Sequence, residues 1–245
     1  KEGIYEDGER RAALLKIARF RSTHGDGWTS LEDYLGRMKE GQEAIYYVAA
    51  SDIEAAKRSP HLEGFAARGV EVLLLTDPVD DFWLSMVHEH EGKPLRSVTR
   101  GGADLSKLGD AKDEEKPDDG RFTTLIVALK DALGDAVKDV RTTHRLTGSA
   151  VCLVADEGDL DINLQRVLKL QGQLGYEPAR ILELNPDHKL IVALAARADQ
   201  PGALDALKDP ALLLLDQARI LEGELPADPA AFAKRLADLM ARGLS

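Results

Sequence analysis

The spacing of apolar residues in the first hundred positions predicts a small unit that mixes helices with buried strands. Apolar side chains recur with helical periodicity in residues 6–21 and 29–38, so both segments are predicted helices. Residues 44–49 and 70–75 are continuous apolar runs, which are typical of strands buried on both faces. Because a helical stretch separates the two runs, the pattern predicts a parallel strand pair.

Helix starts are marked by residues whose side-chain oxygens can accept hydrogen bonds from the first free backbone amides of a helix. Several of these residues have a supporting signal, either a glutamate three positions on or a proline at the first helical position. The predicted starts are Thr29 with Glu32, Ser51, Asp159, Asn185-Pro186, Asp209-Pro210 and Asp228-Pro229.

The second half of the chain repeats the mixture of helices and strands. The predicted helices are 122–133, 159–171 and 185–197, and the predicted strands are 137–143, 150–154 and 181–184. Two more helices, after the starts at residues 209 and 228, finish the chain. The predicted fold class is α/β in an α+β arrangement with a helical end.

Residues 100–119 differ from both halves because they carry many carboxylates and few aliphatic side chains. This composition is typical of a solvated linker, and the carboxylates lack the spacing of a calcium-binding loop. The predicted organisation is therefore a sequence of four segments. These are a connecting helical segment at 1–27, a small α/β unit at 28–99, an acidic linker at 100–119 and a second domain at 120–245.

Composition narrows the class of partner. The 245 residues carry a formal net charge of -11, and an acidic surface repels phosphate backbones, so nucleic acid is not an expected partner. Cys152 is the only cysteine and lies in an apolar run, which indicates a buried thiol in a reducing cytoplasm. No run approaches the roughly twenty apolar residues of a membrane span, so no membrane partner is expected. The chain begins at Lys1 without an initiator methionine, and we expect it to be a piece of a longer protein.

Sequence motifs for catalysis are missing. The sequence contains no glycine-rich phosphate loop, no His-Glu-x-x-His and no Gly-x-Ser-x-Gly. His88 and His90 could meet one metal only in an extended segment, and no third ligand is nearby, so a solvent-facing helix end is the favoured interpretation. We expect a protein that binds other molecules, with no catalytic residues and no metal.

Several sequence strings, taken in order, resemble one protein family, the ninety-kilodalton heat-shock chaperones. Strings similar to the end of that family's middle domain are Lys-Glu-Gly-Ile-Tyr-Glu-Asp (1–7), Ala-Arg-Phe-Arg-Ser-Thr (18–23), Thr-Ser-Leu-Glu-Asp-Tyr (29–34), Ser-Pro-His-Leu-Glu (59–63) and Glu-Val-Leu-Leu-Leu-Thr-Asp-Pro-Val-Asp (71–80). Strings similar to its C-terminal dimerisation domain are Thr-His-Arg-Leu-Thr (143–147), Glu-Leu-Asn-Pro-Asp-His (183–188) and Leu-Leu-Leu-Asp-Gln-Ala (213–218).

The resemblance implies that residues 1–99 end a middle domain and residues 120–245 form the dimerisation domain. It also implies that the ATP and Mg²⁺ site of the full-length family lies in an N-terminal domain outside this chain, so no cofactor is expected here. The ending Ala-Arg-Gly-Leu-Ser (241–245) differs from the Met-Glu-Glu-Val-Asp of eukaryotic cytosolic members, and a bacterial relative is expected.

Two segments are candidate sites for binding unfolded client proteins. On the predicted helix 159–171, one apolar face contains Leu160, Leu164, Val167 and Leu168. From periodicity alone the face packs into a core, whereas the resemblance implies that it contacts clients, and both interpretations stay open. The resemblance also points to Phe82 and Trp83, whose directions on a helix differ by about 100°, so one is expected buried and the other partly exposed.

The last two predicted helices are the candidate dimer interface. Each carries an apolar stripe, and the first is also apolar on its opposite side, at Leu212 and Leu213. A helix that is apolar on two faces must bury both of them. Its own domain covers one face, and a second subunit would cover the other. The predicted interface residues are Leu214, Leu215, Ala218, Leu221, Phe232, Leu236, Leu239 and Met240, arranged as a four-helix bundle in a homodimer.

Two other functions remain open at this point. The chain could be a purely architectural dimeriser that does not contact clients. It could also be a small nucleotide-binding α/β enzyme, although the strand at 44–49 is not followed by a glycine-rich turn.

Overall fold

The computed structural model describes residues 1–101, 105, 108, 120–176 and 178–244. It divides into two compact units, of which the first contains residues 1–115 and 155–177 and the second contains residues 116–154 and 178–245. Residues 155–177, which the sequence analysis assigned to the second domain, therefore group with the first unit. Most of the predicted acidic linker at 100–119 lies outside the described residues.

Helices and strands are mixed along the described residues. In the first hundred residues they are α1 (Glu2–Glu6), α2 (Arg11–Ile17), β1 (Phe20–Ser22), β2 (Gly25–Thr29), α3 (Leu31–Gly36), β3 (Ile45–Ala49), α4 (Ile53–Lys57), a 3-10 turn (Pro60–Leu62), α5 (Glu63–Ala67), β4 (Leu73–Leu75), α6 (Asp80–Leu84), β5 (Glu89–His90) and β6 (Lys93–Ser97). Beyond them are α7 (Thr123–Leu133), a 3-10 turn (Gly134–Ala136), β7 (Asp139–Thr142), β8 (Val151–Val154), α8 (Ile162–Leu170), β9 (Ile181–Leu184), α9 (Lys189–Ala198), α10 (Ala203–Leu221) and α11 (Pro229–Leu244). This is the mixed α/β class that the pattern predicts.

The first unit is built on a six-stranded sheet in the order β2-β1-β4-β3-β6-β5. The predicted parallel pair is confirmed, since β3 and β4 run parallel with Tyr47 opposite Leu73 and Ala49 opposite Leu75. All five residues of β3 are buried because apolar clusters cover both faces of the sheet. The same unit contains α6 and α8, which carry the candidate client-contact residues.

The predicted helix at residues 6–21 is wrong at both ends, because residues 7–10 are not helical and α2 ends before residue 21. Helix α2 stops at Ile17, and the next residue adopts an extended conformation that leads into β1. The Arg19 guanidinium donates hydrogen bonds to the carbonyl oxygens of Ile17 and Ala18, at 2.9 and 3.0 Å, and so satisfies the free end of the helix. Phe20 is then fully buried in the sheet, and this burial favours a strand over another helical turn.

The predicted cap of the next helix is displaced by one residue. Ser30 is the N-cap of α3, and its hydroxyl accepts from the amide of Asp33, whose carboxylate accepts in return from the amide of Ser30. The predicted N-cap, Thr29, is instead the buried last residue of β2. Both residues suit a cap chemically, and the strand pairing of Phe20 with Thr29 decides between them.

The second unit is built on a three-stranded sheet in the order β7-β9-β8, with β7 parallel and β8 antiparallel to β9. Helices α7, α9 and α10 supply most of the helical residues of its largest core cluster. Cys152 is buried in β8, as its apolar surroundings predict. Within the described residues, no helix is long and apolar enough to cross a membrane.

Helix α10 is the largest departure from the predicted elements. It begins at Ala203 and continues through Pro210, so the predicted start at Asp209-Pro210 is wrong. A proline inside a helix removes one backbone hydrogen bond and usually costs about 3 kcal/mol. Leu207 and Ala211 are both fully buried on either side of Pro210, and their burial in the core offsets this cost.

Candidate functional site

The adjacent aromatic residues of α6 face different surroundings. Trp83 is 0 % exposed, its indole nitrogen donates to Asp80 Oδ1 at 2.7 Å, and its ring lies 6.0 Å from that of Phe20. Phe82 is 37 % exposed. Trp83 is therefore a core residue, and Phe82 is the member of the predicted pair that a client could touch.

Helix α8 is fixed at its N-terminus by buried polar contacts. The N-cap is Asp161, not Asp159 as predicted, and its Oδ1 accepts from the amide of Asn163 at 2.9 Å. Its other oxygen accepts from the hydroxyls of Thr99, at 2.8 Å, and Ser97. Because this carboxylate is bonded both to the helix and to the segment after β6, it fixes where α8 begins.

The apolar face of α8 is divided between the core and the surface. Ile162 is buried, so the side of α8 that carries Ile162 faces the interior of the unit. Leu160 precedes the helix and is 39 % exposed. The other three predicted contact residues, Leu164, Val167 and Leu168, are half-buried. The face is thus buried at Ile162 and leaves apolar surface partly accessible at the other residues, and its contact with clients stays a prediction.

One hydrogen bond joins α8 to α6. The amide nitrogen Nδ2 of Asn163 donates to Oδ2 of Asp81 at 2.9 Å. Burial raises the pKa of the Asp81 carboxyl to about 6, the bond from Asn163 acts against this rise, and the nearby Asp161 and Asp80 add to it. The two candidate client-contact segments are thus brought together around a carboxyl that is costly to ionise.

A second candidate site is an apolar groove in the second unit, with a volume of about 340 Å³, between α9, α10 and α11. Its walls are almost entirely aliphatic or aromatic, with Gln217 as the one polar lining residue among those described. The lining residues are Leu190, Leu194, Pro210, Leu213, Leu214, Gln217, Ile220, Leu221, Phe232, Leu236 and Leu239.

The predicted interface residues fall into two groups. Leu214, Leu215 and Ala218 are buried in the core of their own unit, so they support the groove from beneath. The more accessible group consists of Leu221, Phe232, Leu236, Leu239 and Met240, of which all but Met240 line the groove.

Helix α11 has a capped start and a polar contact with α10. Asp228 caps its start by accepting from the amides of Ala230 and Ala231, as the sequence predicts, and Arg235 lies 3.6 Å from Asp209 of α10. None of the described residues of α11 is buried, although the helix carries an apolar stripe. Its apolar side is therefore available to another molecule.

Sequence reasoning missed the contribution of α9 and of the outer side of α10 to this groove. Leu190 and Leu194 are one helical turn apart on α9, and this spacing is the signal that could have placed them on one face. Leu213 was identified as lying opposite the main stripe of α10, and it lines the groove together with Ile220.

Comparisons with known proteins identify the family. The sequence profile described as Hsp90 protein matches residues 1–245. The chain belongs to the Hsp90 family. Curated relatives called chaperone protein HtpG are 57 % identical over 250 residues in Paramagnetospirillum magneticum, covering 100 % of this chain and 40 % of the relative. They are 54 % identical over 248 residues in Roseobacter denitrificans, covering 98 % of this chain and 40 % of the relative.

The resemblance drawn from short strings is therefore confirmed for an Hsp90-family chain of the bacterial type. A third relative of the same name, from Rhodospirillum rubrum, is 51 % identical over 254 residues and spans 100 % of this chain. The chain spans about 40 % of the length of these relatives.

The predicted histidine pair and the other potential metal-ligating side chains can be compared with the described part of this Hsp90-family chain. No group of three histidine, cysteine, aspartate or glutamate residues there is arranged to hold a metal ion. The histidine pair is not at a helix end as predicted, because His90 is buried in the two-residue strand β5 while His88 is exposed just before it.

Replacing Asp81 with asparagine is expected to stabilise the first unit at neutral pH. A carboxyl whose folded-state pKa is raised stabilises the fold fully only below its ordinary pKa of 3.8, and this stability is lost as the pH rises through about 6. The variant cannot ionise, so at pH 7.5 it should gain unfolding free energy on the order of 2 kcal/mol, a gain that shrinks toward pH 5.

The measurement is urea unfolding followed by the fluorescence of Trp83 in a Trp28→Phe background, because Trp28 and Trp83 are the only tryptophans. Asp52→Asn is the control, since a hydrogen bond from the amide of Ala55 lowers the pKa of Asp52 below its ordinary 3.8, and its effect should therefore be the same at pH 5 and at pH 7.5. A gain for Asp81→Asn that is equal at pH 5 and pH 7.5 would contradict the assignment.

Proposed function

We propose that this chain is the client-binding and dimerising part of a bacterial Hsp90-family chaperone that acts in the cytoplasm. Its relatives carry the name chaperone protein HtpG, and the chain matches a part of each. The observation that carries the proposal is that apolar side chains stay accessible on α6 and α8, on segments held in place by buried polar bonds.

Client binding is supported by the nature of these two segments. Phe82 and Leu160 are exposed, and Leu164, Val167 and Leu168 of α8 are half-buried. Non-native proteins expose apolar side chains that have lost their cores, and accessible apolar surface on a rigid support offers them a place to bind. The bond from Asn163 to Asp81 keeps the two segments together in the absence of a client.

Dimerisation is supported by the groove and by α11. The apolar side of α11 and the groove beside it are accessible to water in a single chain. Helices α10 and α11 of a second copy would bury them in a symmetric dimer. Two copies of α10 and α11 make a four-helix bundle, a permanent interface in which apolar residues are the rule. The partners proposed for the chain are thus a second copy and unfolded clients, with no nucleic acid and no membrane.

We also propose that this chain has no ATPase activity of its own. ATP and Mg²⁺ are cofactors of the full-length family, and the residues of this chain match only about 40 % of the relatives' length. We propose that hydrolysis belongs to the part of the full-length protein that this chain does not include, and that this chain uses no cofactor.

Replacing Leu160, Leu164 and Leu168 together by serine is expected to weaken binding of an unfolded client about tenfold or more, because each leucine buries apolar area on binding. The dimer should persist, because none of the three residues lines the groove. The measurement is fluorescence anisotropy of a labelled, permanently unfolded client titrated with the protein.

The matched control replaces Ile17, Val127 and Leu204 by serine, three side chains that are each more exposed than Leu160 and lie elsewhere. The control should bind the client as wild type does. Equal losses in both triple variants would indicate nonspecific adhesion, and a much lower melting temperature for the α8 variant would indicate a core face. If wild type forms a dimer but does not bind the unfolded client, the purely architectural function is favoured.

A further inference from the structure

An exposed apolar cluster lies where α1 meets α6. Tyr5 and Met86 are 42 % and 48 % exposed. Tyr5 lies beside Phe82 in space, and Met86 follows Phe82 by four positions in the sequence. The rings of Tyr5 and Phe82 are 5.7 Å apart and tilted by 56°, the separation of a direct aromatic pair. Side chains from two separate segments of the first unit therefore join the candidate client-contact residue Phe82.

Arg11 of α2 ties this cluster together. Its Nε donates to the carbonyl oxygen of Ile4 at 2.7 Å, and its Nη2 lies 3.4 Å from the carbonyl oxygen of Tyr5 and 3.5 Å from Sδ of Met86. Among the described residues, none of the contacts of Arg11 is to a carboxylate. The Arg11 guanidinium therefore makes no ion pair among the described residues, and it lies beside an apolar cluster.

We propose that Tyr5, Phe82, Met86 and Arg11 form one docking surface for a non-native polypeptide segment in which an apolar side chain stands beside a carboxylate. The inference rests on the proposed client-binding function and gives that site a preferred chemistry. The rings of Tyr5 and Phe82 and the thioether of Met86 contact the apolar side chain of the segment. The guanidinium of Arg11 binds its carboxylate. A partly exposed cation at the edge of an apolar contact favours an anionic neighbour and disfavours a cationic one.

The composition and size of the cluster fit this occupant. Tyrosine, methionine and arginine are enriched in protein contact surfaces, and methionine adapts its shape to different side chains. Three apolar side chains are too few for a second copy, because a stable interface buries roughly 800 Å² on each partner. A cluster of three partly exposed side chains instead suits a single side chain of an extended segment.

The test uses two labelled, unstructured peptides that differ at one position, with an aspartate or a lysine beside a central phenylalanine. Fluorescence anisotropy measures their binding to the wild-type chain and to Tyr5→Ala, Met86→Ala, Arg11→Gln and Phe82→Ala. Trp28→Ala is the control, because Trp28 is an exposed aromatic residue of the same unit on the edge strand β2.

Wild type should prefer the aspartate peptide by about fivefold, the size of a partly desolvated charge contact. Tyr5→Ala and Met86→Ala should weaken the binding of both peptides several-fold. Arg11→Gln should remove the preference by weakening the aspartate peptide, while the affinity of the lysine peptide stays the same or rises. Trp28→Ala should bind like wild type. Arg11→Lys keeps the charge and should keep part of the preference, which separates loss of charge from loss of folding.

The outcomes also separate this inference from the proposed function. If Phe82→Ala weakens both peptides while Tyr5→Ala and Met86→Ala do not, client binding stands and the docking surface is overturned. If Phe82→Ala has no effect either, the client function of this segment fails with it. Equal affinity of wild type for the two peptides overturns the preference for a carboxylate. A change from dimer to monomer in Tyr5→Ala would make the cluster a contact between copies and overturn the inference.

Discussion

Replacing Leu236 with glutamate is expected to convert a dimer of this chain into a monomer of about 26.7 kDa. Leu236 lines the apolar groove and belongs to α11, whose described residues are all accessible in the single chain. A carboxylate at this position would be buried without a partner when two copies meet, which costs several kcal/mol, and symmetry places the substitution twice in the interface. Sedimentation velocity at about 10 µM protein, a concentration at which an interface of this class is saturated, measures the change.

Leu204→Glu is the matched control for this variant. Leu204 is an exposed leucine at the start of α10 and does not line the groove, so the same substitution should leave the dimer intact. Circular dichroism should report unchanged helix content in both variants. The proposed interface would be misplaced if wild type were monomeric at this concentration, or if Leu236→Glu remained dimeric.

Elements buried on both faces could be predicted from the sequence because their signal is local. The apolar runs at 44–49 and 70–75 have only one favourable position in a mixed fold, which is the interior of a sheet. Their order along the chain, with a helix between them, then requires the parallel pairing seen between β3 and β4. The stripe of α11 and its cap at Asp228 depend on periodicity and spacing in the same way.

The errors occur where a tertiary contact outweighs a local preference. Pro210 by itself indicates a helix start, but residues before and after it are buried in one core, and their burial keeps α10 continuous from Ala203. Ser30 and Thr29 are equally good caps until strand pairing fixes the end of β2. Periodicity alone could not decide these cases because the deciding partner lies far away in the sequence.

The candidate client surface shows the same limit. The apolar face of α8 could be read from spacing, but its half-buried state depends on the bonds from Asp161 to Thr99 and from Asn163 to Asp81. These bonds span 62 and 82 residues along the chain. Tyr5 and Arg11 carry no local signal of function either, and only the contact of α1 with α6 places them beside Phe82.

The neighbouring aromatic residues of α6 should respond in opposite ways to the same substitution. Trp83→Ala removes a fully buried ring and leaves Oδ1 of the buried Asp80 without its indole donor, so it should cost about 3–5 kcal/mol of unfolding free energy. Phe82→Ala removes a ring that is 37 % exposed and should cost about 1 kcal/mol or less. Differential scanning calorimetry should show the transition of the first unit lowered by roughly 10 °C or more in Trp83→Ala and by only a few degrees in Phe82→Ala.

Binding of an unfolded client should follow the reverse order when it is measured well below both transitions. Phe82→Ala should weaken the complex because the accessible ring is lost, whereas Trp83→Ala should keep most of the affinity as long as the first unit stays folded. Lys1 and the amide of Asp77 still bond to Oδ2 of Asp80 in that variant, so the start of α6 retains two of its anchors. A transition in Phe82→Ala as low as that of Trp83→Ala, or equal losses of client binding, would contradict the assignment of one ring to the core and the other to the client.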